Sequence, residues 1–180
     1  MTADQIKEKW AKDGQEASQA GTALHLDIER YLNGQAPLAS EKREFQMFLH
    51  LWSEWQKSSP TLRPYRTEWW IYDGEEKIAG SIDCVMRDER DGQLVLVDWK
   101  RSKEIKMSNR YEQGHGPFAH LDHCNYHHYS LQLNFYRHVL EKWYGHRVKG
   151  MMIVLLHPQQ SDYEYYMIPR IDLDSVWDQL

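Results

Sequence analysis

Cysteine is scarce: Cys84 and Cys124 are the only two among 180 residues. Two thiols build no disulfide framework, and they cannot supply the four ligands of a cysteine-held iron–sulfur cluster. A reducing, intracellular setting is therefore expected, with cytoplasm, nucleus and organelle not distinguished. Long apolar runs are also missing. None approaches the roughly 20 residues that cross a bilayer, so no membrane partner is expected. The opening stretch MTADQIKEKWAKDGQ lacks the apolar centre of a secretory signal and is not the Arg- and Ser-rich, acid-poor kind of import leader. Nor is there an excess of positive charge. Lys and Arg number 22 against 27 Asp and Glu, a formal net charge of -5. That argues against a protein that coats nucleic acid with its whole surface. It leaves room for an enzyme whose acidic metal site carries part of the negative charge.

What is present reads as a folded α/β chain. A hydrophobic fraction of 41% with 13% aromatics is globular. The length suits one domain over 1–180, with N-terminal helices over about 1–58 and an α/β core over about 64–180. DQIKEKWAKDG predicts a short helix stopped by Gly14. QEASQAGTALHLDIERYLNG predicts a second, with Leu24, Ile28, Tyr31 and Leu32 at helical spacing. SEKREFQMFLHLWSEWQKS predicts a third, capped by Ser40, with Phe45, Phe48, Leu49, Trp52 and Trp55 on one side. The period then changes. RTEWWIYD, KIAGSIDCVMR and QLVLVDWK alternate as strands, and the turns DGEEK and DERDG join them into an antiparallel meander. Trp69, Trp70, Trp52 and Trp55 are expected in the core. After a long polar stretch, YSLQLNFYRHVLEKWYG predicts an amphipathic helix. GMMIVLLHP predicts a strand buried on both faces, DYEYYMIPR a further strand, and DLDSVWDQL a last helix.

The strands carry acids where apolar residues belong. In LVLVDWK, alternation puts Leu94, Leu96, Asp98 and Lys100 on one face and Val95, Val97 and Trp99 on the other. One strand earlier stands Asp83, and one before that Glu68. Burying a charge is costly unless it is paired or coordinates something. Mg²⁺ or Mn²⁺ gives such a reason: these ions take oxygen ligands, commonly one or two carboxylates with waters and substrate phosphate. A bound ion lowers the pKa of water and stabilises a phosphodiester under attack. A lysine beside it can orient water or balance developing charge.

Four short motifs occur in order: GTALH (21–25), GSID (80–83), DWK (98–100) and QLNFY (132–136). The ordered set resembles the PD-(D/E)XK nuclease superfamily, in its RecB-like and Cas4-like branch, and is similar to mitochondrial genome-maintenance exonucleases. The cysteine count fits a relative without an iron–sulfur cluster. The resemblance implies a restriction-endonuclease-like core, a mixed sheet of four to five strands flanked by helices. It also implies a divalent-metal-dependent nuclease acting on DNA single strands or duplex ends, as an exonuclease or a single-strand-preferring enzyme. In the roles it implies, Asp83, Asp98, His25 and the Trp99 carbonyl hold Mg²⁺ or Mn²⁺, and Lys100 positions the water. Gln132 and Tyr136, one helical turn apart, support the site. Glu68 is either a further acid there or a surface residue.

Blander readings stand beside these. Asp98 and Lys100 could be a structural ion pair, and His25 a satisfied boundary histidine. The whole chain could be an inactive nuclease-fold module that binds nucleic acid or protein, or one domain of a larger protein. His115, His120, His123, His127 and His128 with Cys124 have residue types that suit zinc, but not the spacing of a closed zinc site. They are expected on a loop near the active site. Lys100 to Lys106 and Arg110 are read as a positive patch that guides a nucleic-acid strand.

Overall fold

The computed structural model describes residues 1–173 and 176. A five-stranded sheet in the order β1-β2-β3-β4-β5 is built from Leu62–Asp73, Ile78–Asp88, Leu94–Lys100, Val148–Leu155 and Glu164–Met167. The first three strands form the expected antiparallel meander. β4 then pairs parallel to β3, and β5 antiparallel to β4. A parallel neighbour needs a crossover, and helix α3, Asn125–Trp143, supplies it. Helices α1, Ala3–Leu32, and α2, Arg43–Ser58, precede the sheet. This mixed sheet between helices is the restriction-endonuclease-like architecture the motifs implied.

Strand alternation divides the core in two. Leu94, Leu96, Ile82, Ile153 and Leu155 pack with Leu133, Val139 and Leu140 of α3. Val97, Trp99, Cys84, Met86 and Val154 pack on the opposite face with Leu24 and Ile28 of α1 and Phe45, Phe48 and Leu51 of α2. β4 contributes to both sets, as its continuous apolar run predicts. Trp99 is the hinge of this arrangement. It is 2% exposed, edge-on to Phe48 at 5.6 Å and tilted against Trp55 at 6.2 Å. By area, burying such a ring favours folding by about 4–6 kcal/mol before entropy is counted, so the end of β3 is held firmly.

Several expectations need correction. Gly14 does not end a helix, and α1 runs unbroken through it. A mid-helix glycine costs only about 1 kcal/mol. The Lys9–Asp13 pair at 2.6 Å and the Thr2–Gln5 capping box support the helix around it. Ser40 does not cap α2, which starts at Arg43 after Lys42. Trp70 is not core: it is 76% exposed, on a part of β1 that the first two helices leave uncovered. Helix α3 starts at Asn125, so His127 and His128 lie in its first turn. The expected final helix over 172–180 falls mostly outside the described residues.

Candidate active site

The β2–β3 ladder pairs Cys84–Arg87 with Leu94–Val97. Beyond it the strands part, and the side chain of Asp83 fills the opening. Its Oδ2 accepts the Trp99 N–H at 2.8 Å, so a carboxylate takes the place of a strand partner. Asp98 is 2% exposed. Lys100 Nζ lies 2.7 Å from Asp98 Oδ2, yet off the direction of a good hydrogen bond, so that buried oxygen has charge beside it without an aligned donor. The two residues share a face, as alternation requires. They point toward α3, where the Tyr129 ring sits 4.7 Å from the Lys100 ammonium.

On the other side, α1 delivers His25. Its Nε2 donates to the Trp99 carbonyl at 2.9 Å, while Nδ1 faces Asp83 at 3.7 Å and Glu68 at 3.8 Å. Glu68 belongs to this site and not to the open surface. Its backbone sits at φ 45° in the middle of a strand, a left-handed conformation costing about 1–2 kcal/mol for a residue with a side chain. Ser81 Oγ donates to its carboxylate at 3.1 Å. One ligand atom each from His25, Glu68 and Asp83 falls within 4.8 Å of the others, among the described residues. Asp98 is outside that close group but within electrostatic reach of it.

Three carboxylates thus face one ammonium and one imidazole. Burial, then repulsion from Asp98, pushes Asp83 up to about 7. Burial also raises Asp98, against the pull of Lys100. Burial alone would lower Lys100 and His25. For Lys100 the attraction of Asp98 and Asp83 outweighs it, and for His25 that of Glu68 and Asp83, so both are raised. The donor set suits a hard divalent cation.

Gln132 and Tyr136 are brought together as expected, with Gln132 Nε2 donating to Tyr136 Oη at 2.9 Å. Their tie to the strands goes through Gly80, where a Cβ would stand 2.5 Å from the Tyr136 ring. The glycine of GSID and the tyrosine of QLNFY are thus halves of one contact. Tyr129 was missed, although Tyr129, Gln132 and Tyr136 share one helical stripe that the spacing carries. Ser81 gave no signal at all.

The basic segment is rearranged. Arg101 is held by buried Glu44 at 2.9 Å, and Lys100 by Asp98, so neither is a free surface cation. Among the histidines, His123 stacks edge-on to His128 at 4.5 Å, and His127 Nδ1 lies 2.9 Å from the Asp122 carbonyl and 3.3 Å from Cys124 Sγ. They form no three-ligand metal group among the described residues. The segment is pinned locally: Asn109 Nδ2 donates to the His123 carbonyl, and the Lys106 N–H to Asn125 Oδ1.

A family model described as the PD-(D/E)XK nuclease superfamily matches residues 2–174. The chain belongs to that superfamily. Its members are typically nucleases, and they generally use divalent metals such as Mg²⁺. A solved structure titled "Crystal structure of SSO0001" is similar at 18% identity and a TM-score of 0.36, with 74% of this chain and 54% of that one covered. The chain thus spans about half the length of that structure. No curated protein matches. Among the described residues of this PD-(D/E)XK chain, no helix is long and apolar enough to cross a membrane.

Proposed function

We propose that this chain is a divalent-metal-dependent deoxyribonuclease of the RecB-like and Cas4-like kind without an iron–sulfur cluster, acting as an exonuclease or on single strands. The observation that carries the reading is the under-neutralised cluster of His25, Glu68 and Asp83 beside the Lys100–Asp98 pair. Asp83, Asp98, His25 and the Trp99 carbonyl are the proposed ligands, with Glu68 in the same donor group. Bound there, Mg²⁺ or Mn²⁺ lowers the pKa of water and offsets charge building on the phosphodiester.

The remaining work falls to fixed side chains. Lys100 is held in its charged form, so it serves as a cationic donor that orients the attacking water and meets developing negative charge, not as a general base. Asp98 and the Tyr129 ring fix the ammonium in place. Gln132 and Tyr136 hold the α3 side of the site against β2. Both cysteines are free and buried, which suits an intracellular setting.

The test uses end-labelled single- and double-stranded DNA with Mg²⁺ or Mn²⁺. Wild type is expected to cleave, and Asp98→Ala and Lys100→Ala are not. Equal activity in all three proteins overturns the assignment. A ladder of single-nucleotide steps from one end marks an exonuclease.

A further inference from the structure

A cavity lies at the start of α3. It encloses about 720 Å³ and is lined by Lys106, Arg110, Tyr111, His123, Asn125 and His128 among others. None of the residues lining it is acidic, although Glu104 stands 3.7 Å from Lys106 and Glu112 3.3 Å from His123 at its edge. The cavities elsewhere at Glu141, Glu75 and Glu29 each carry an acid. Tyr111 is 97% exposed, its ring held out by a turn in which its N–H bonds Asn109 Oδ1 at 3.0 Å.

His128 also lines a smaller cavity of about 400 Å³ whose wall is mostly apolar and which ends on Gln132 and Tyr136. The two are therefore neighbours along one side of α3. From Asn125 to Tyr136 the helix rises about 16 Å, a span of about five stacked nucleotides at 3.4 Å each.

We propose that this side of α3 is a track for single-stranded nucleic acid. Lys106 and Arg110 take backbone phosphates, Tyr111 stacks on a base, and the apolar cavity beside Gln132 and Tyr136 seats the base nearest the metal cluster. A positively lined groove with interleaved aromatic rings is what strand binding without sequence preference requires. The direction of the track rests on the nuclease reading, because it leads to the proposed metal ligands.

The test separates the two claims. Fluorescence anisotropy of labelled oligothymidylates of about 2 to about 10 nucleotides, in Ca²⁺, reads the track. Hydrolysis of the p-nitrophenyl ester of thymidine monophosphate in Mn²⁺ reads the metal site, because so small a substrate does not need the track. Affinity should rise with length to about five nucleotides and then level off. Lys106→Ala/Arg110→Ala should flatten the slope of log K against log salt by about 1.4. Tyr111→Ala should weaken binding about tenfold, and Tyr111→Trp restore it. The small ester should be cleaved at wild-type rate by all of these variants, with unchanged melting temperatures. Unchanged affinity and salt slope in the variants overturns the track, as does a wild type that binds no oligonucleotide or that covers this face by self-association. Length-dependent binding lost in the variants, with no ester hydrolysis in wild type, supports the track and sinks the nuclease reading alone.

Discussion

Strand β2 carries one acid at its middle and one at its end, and the two live in opposite circumstances. Asp88 closes the turn into β3. It accepts from the Arg90 side chain at 2.6 Å and the Arg90 N–H at 3.0 Å, and it pairs closely with Lys149. Those partners, Arg90 first, hold its carboxyl far below the usual range. Asp83, five positions earlier, has one backbone donor, a shared imidazole and a lysine already committed to Asp98. It is pushed up to about 7. The end of the strand spends its charges on holding the fold. Its middle keeps like charges together, as the proposed cation site requires.

The largest effect should come from exchanging the two acids' fates. Asp83→Asn should lower cleavage about a thousandfold or more, with no loss of melting temperature in EDTA, because a buried acid crowded by Asp98 is removed. Asp88→Asn should lower the melting temperature and leave cleavage within about twofold. If Asp83→Asn unfolds the chain while Asp88→Asn abolishes activity, the comparison is reversed.

The second effect lies in pH. Asp83 has a folded value of about 7 against about 3.9 when unfolded. The folded state therefore keeps a proton that the unfolded chain has lost. Its contribution is complete below pH ~4 and is lost as pH rises toward 7, by at most ~4 kcal/mol. His25, also raised, acts in the same direction at higher pH. Asp88 acts oppositely: its stabilisation is present above pH ~4 and lost as pH falls through its depressed folded value. Melting scans in EDTA from pH 4 to 8 should show that Asp83→Asn gains on wild type as pH rises, while Asp88→Asn loses most near neutrality. Parallel curves for all three proteins would show that Asp83 is no less neutralised than Asp88.

Metal gives the third. Mg²⁺ or Mn²⁺ at about 100 times its dissociation constant should stabilise wild type by about 2.7 kcal/mol, roughly 5–10 °C for a domain of this size. Asp88→Asn should keep that gain and Asp83→Asn should lose it.

How much of this was legible follows from where each signal lies. Asp98 and Lys100 stood out because a seven-residue strand alternates cleanly, and the structure puts Leu94 and Leu96 in one core and Val97 and Trp99 in the other. Asp83 was legible as an acid inside an apolar strand, although β2 does not alternate through it: Ile82 packs in one core and Cys84 in the other. Glu68 stayed open because a single left-handed residue turns it toward His25, and alternation assumes extended backbone throughout. Arg101 looked like a surface cation because its partner, Glu44, lies on another element 57 residues away. Trp70 looked like core because aromatic content says nothing of which strand face a helix fails to cover. The elements and the site's main residues are local patterns. The pairings that tune them are tertiary.

The smallest effect separates two glycines, one at each end of the strand meander. Gly92, in the turn beside Asp88, sits at φ +69°, where any side chain is strained whatever the space. Gly92→Ala should cost about 1 kcal/mol and leave cleavage unchanged. Gly80 needs its missing side chain for room, since a Cβ there would strike the Tyr136 ring. Gly80→Ala should cost about 1–3 kcal/mol by overpacking and lower cleavage about tenfold by moving Tyr136 off its place. The two costs differ in how they can be relieved. Tyr136→Ala opens the space, so adding Gly80→Ala to that background should cost almost nothing, a non-additivity a double-mutant cycle reads directly. Gly92→Ala should cost the same in either background, because its strain is in its own backbone. Additive effects for Gly80 and Tyr136 would mean that the glycine of GSID serves the strand and not the site.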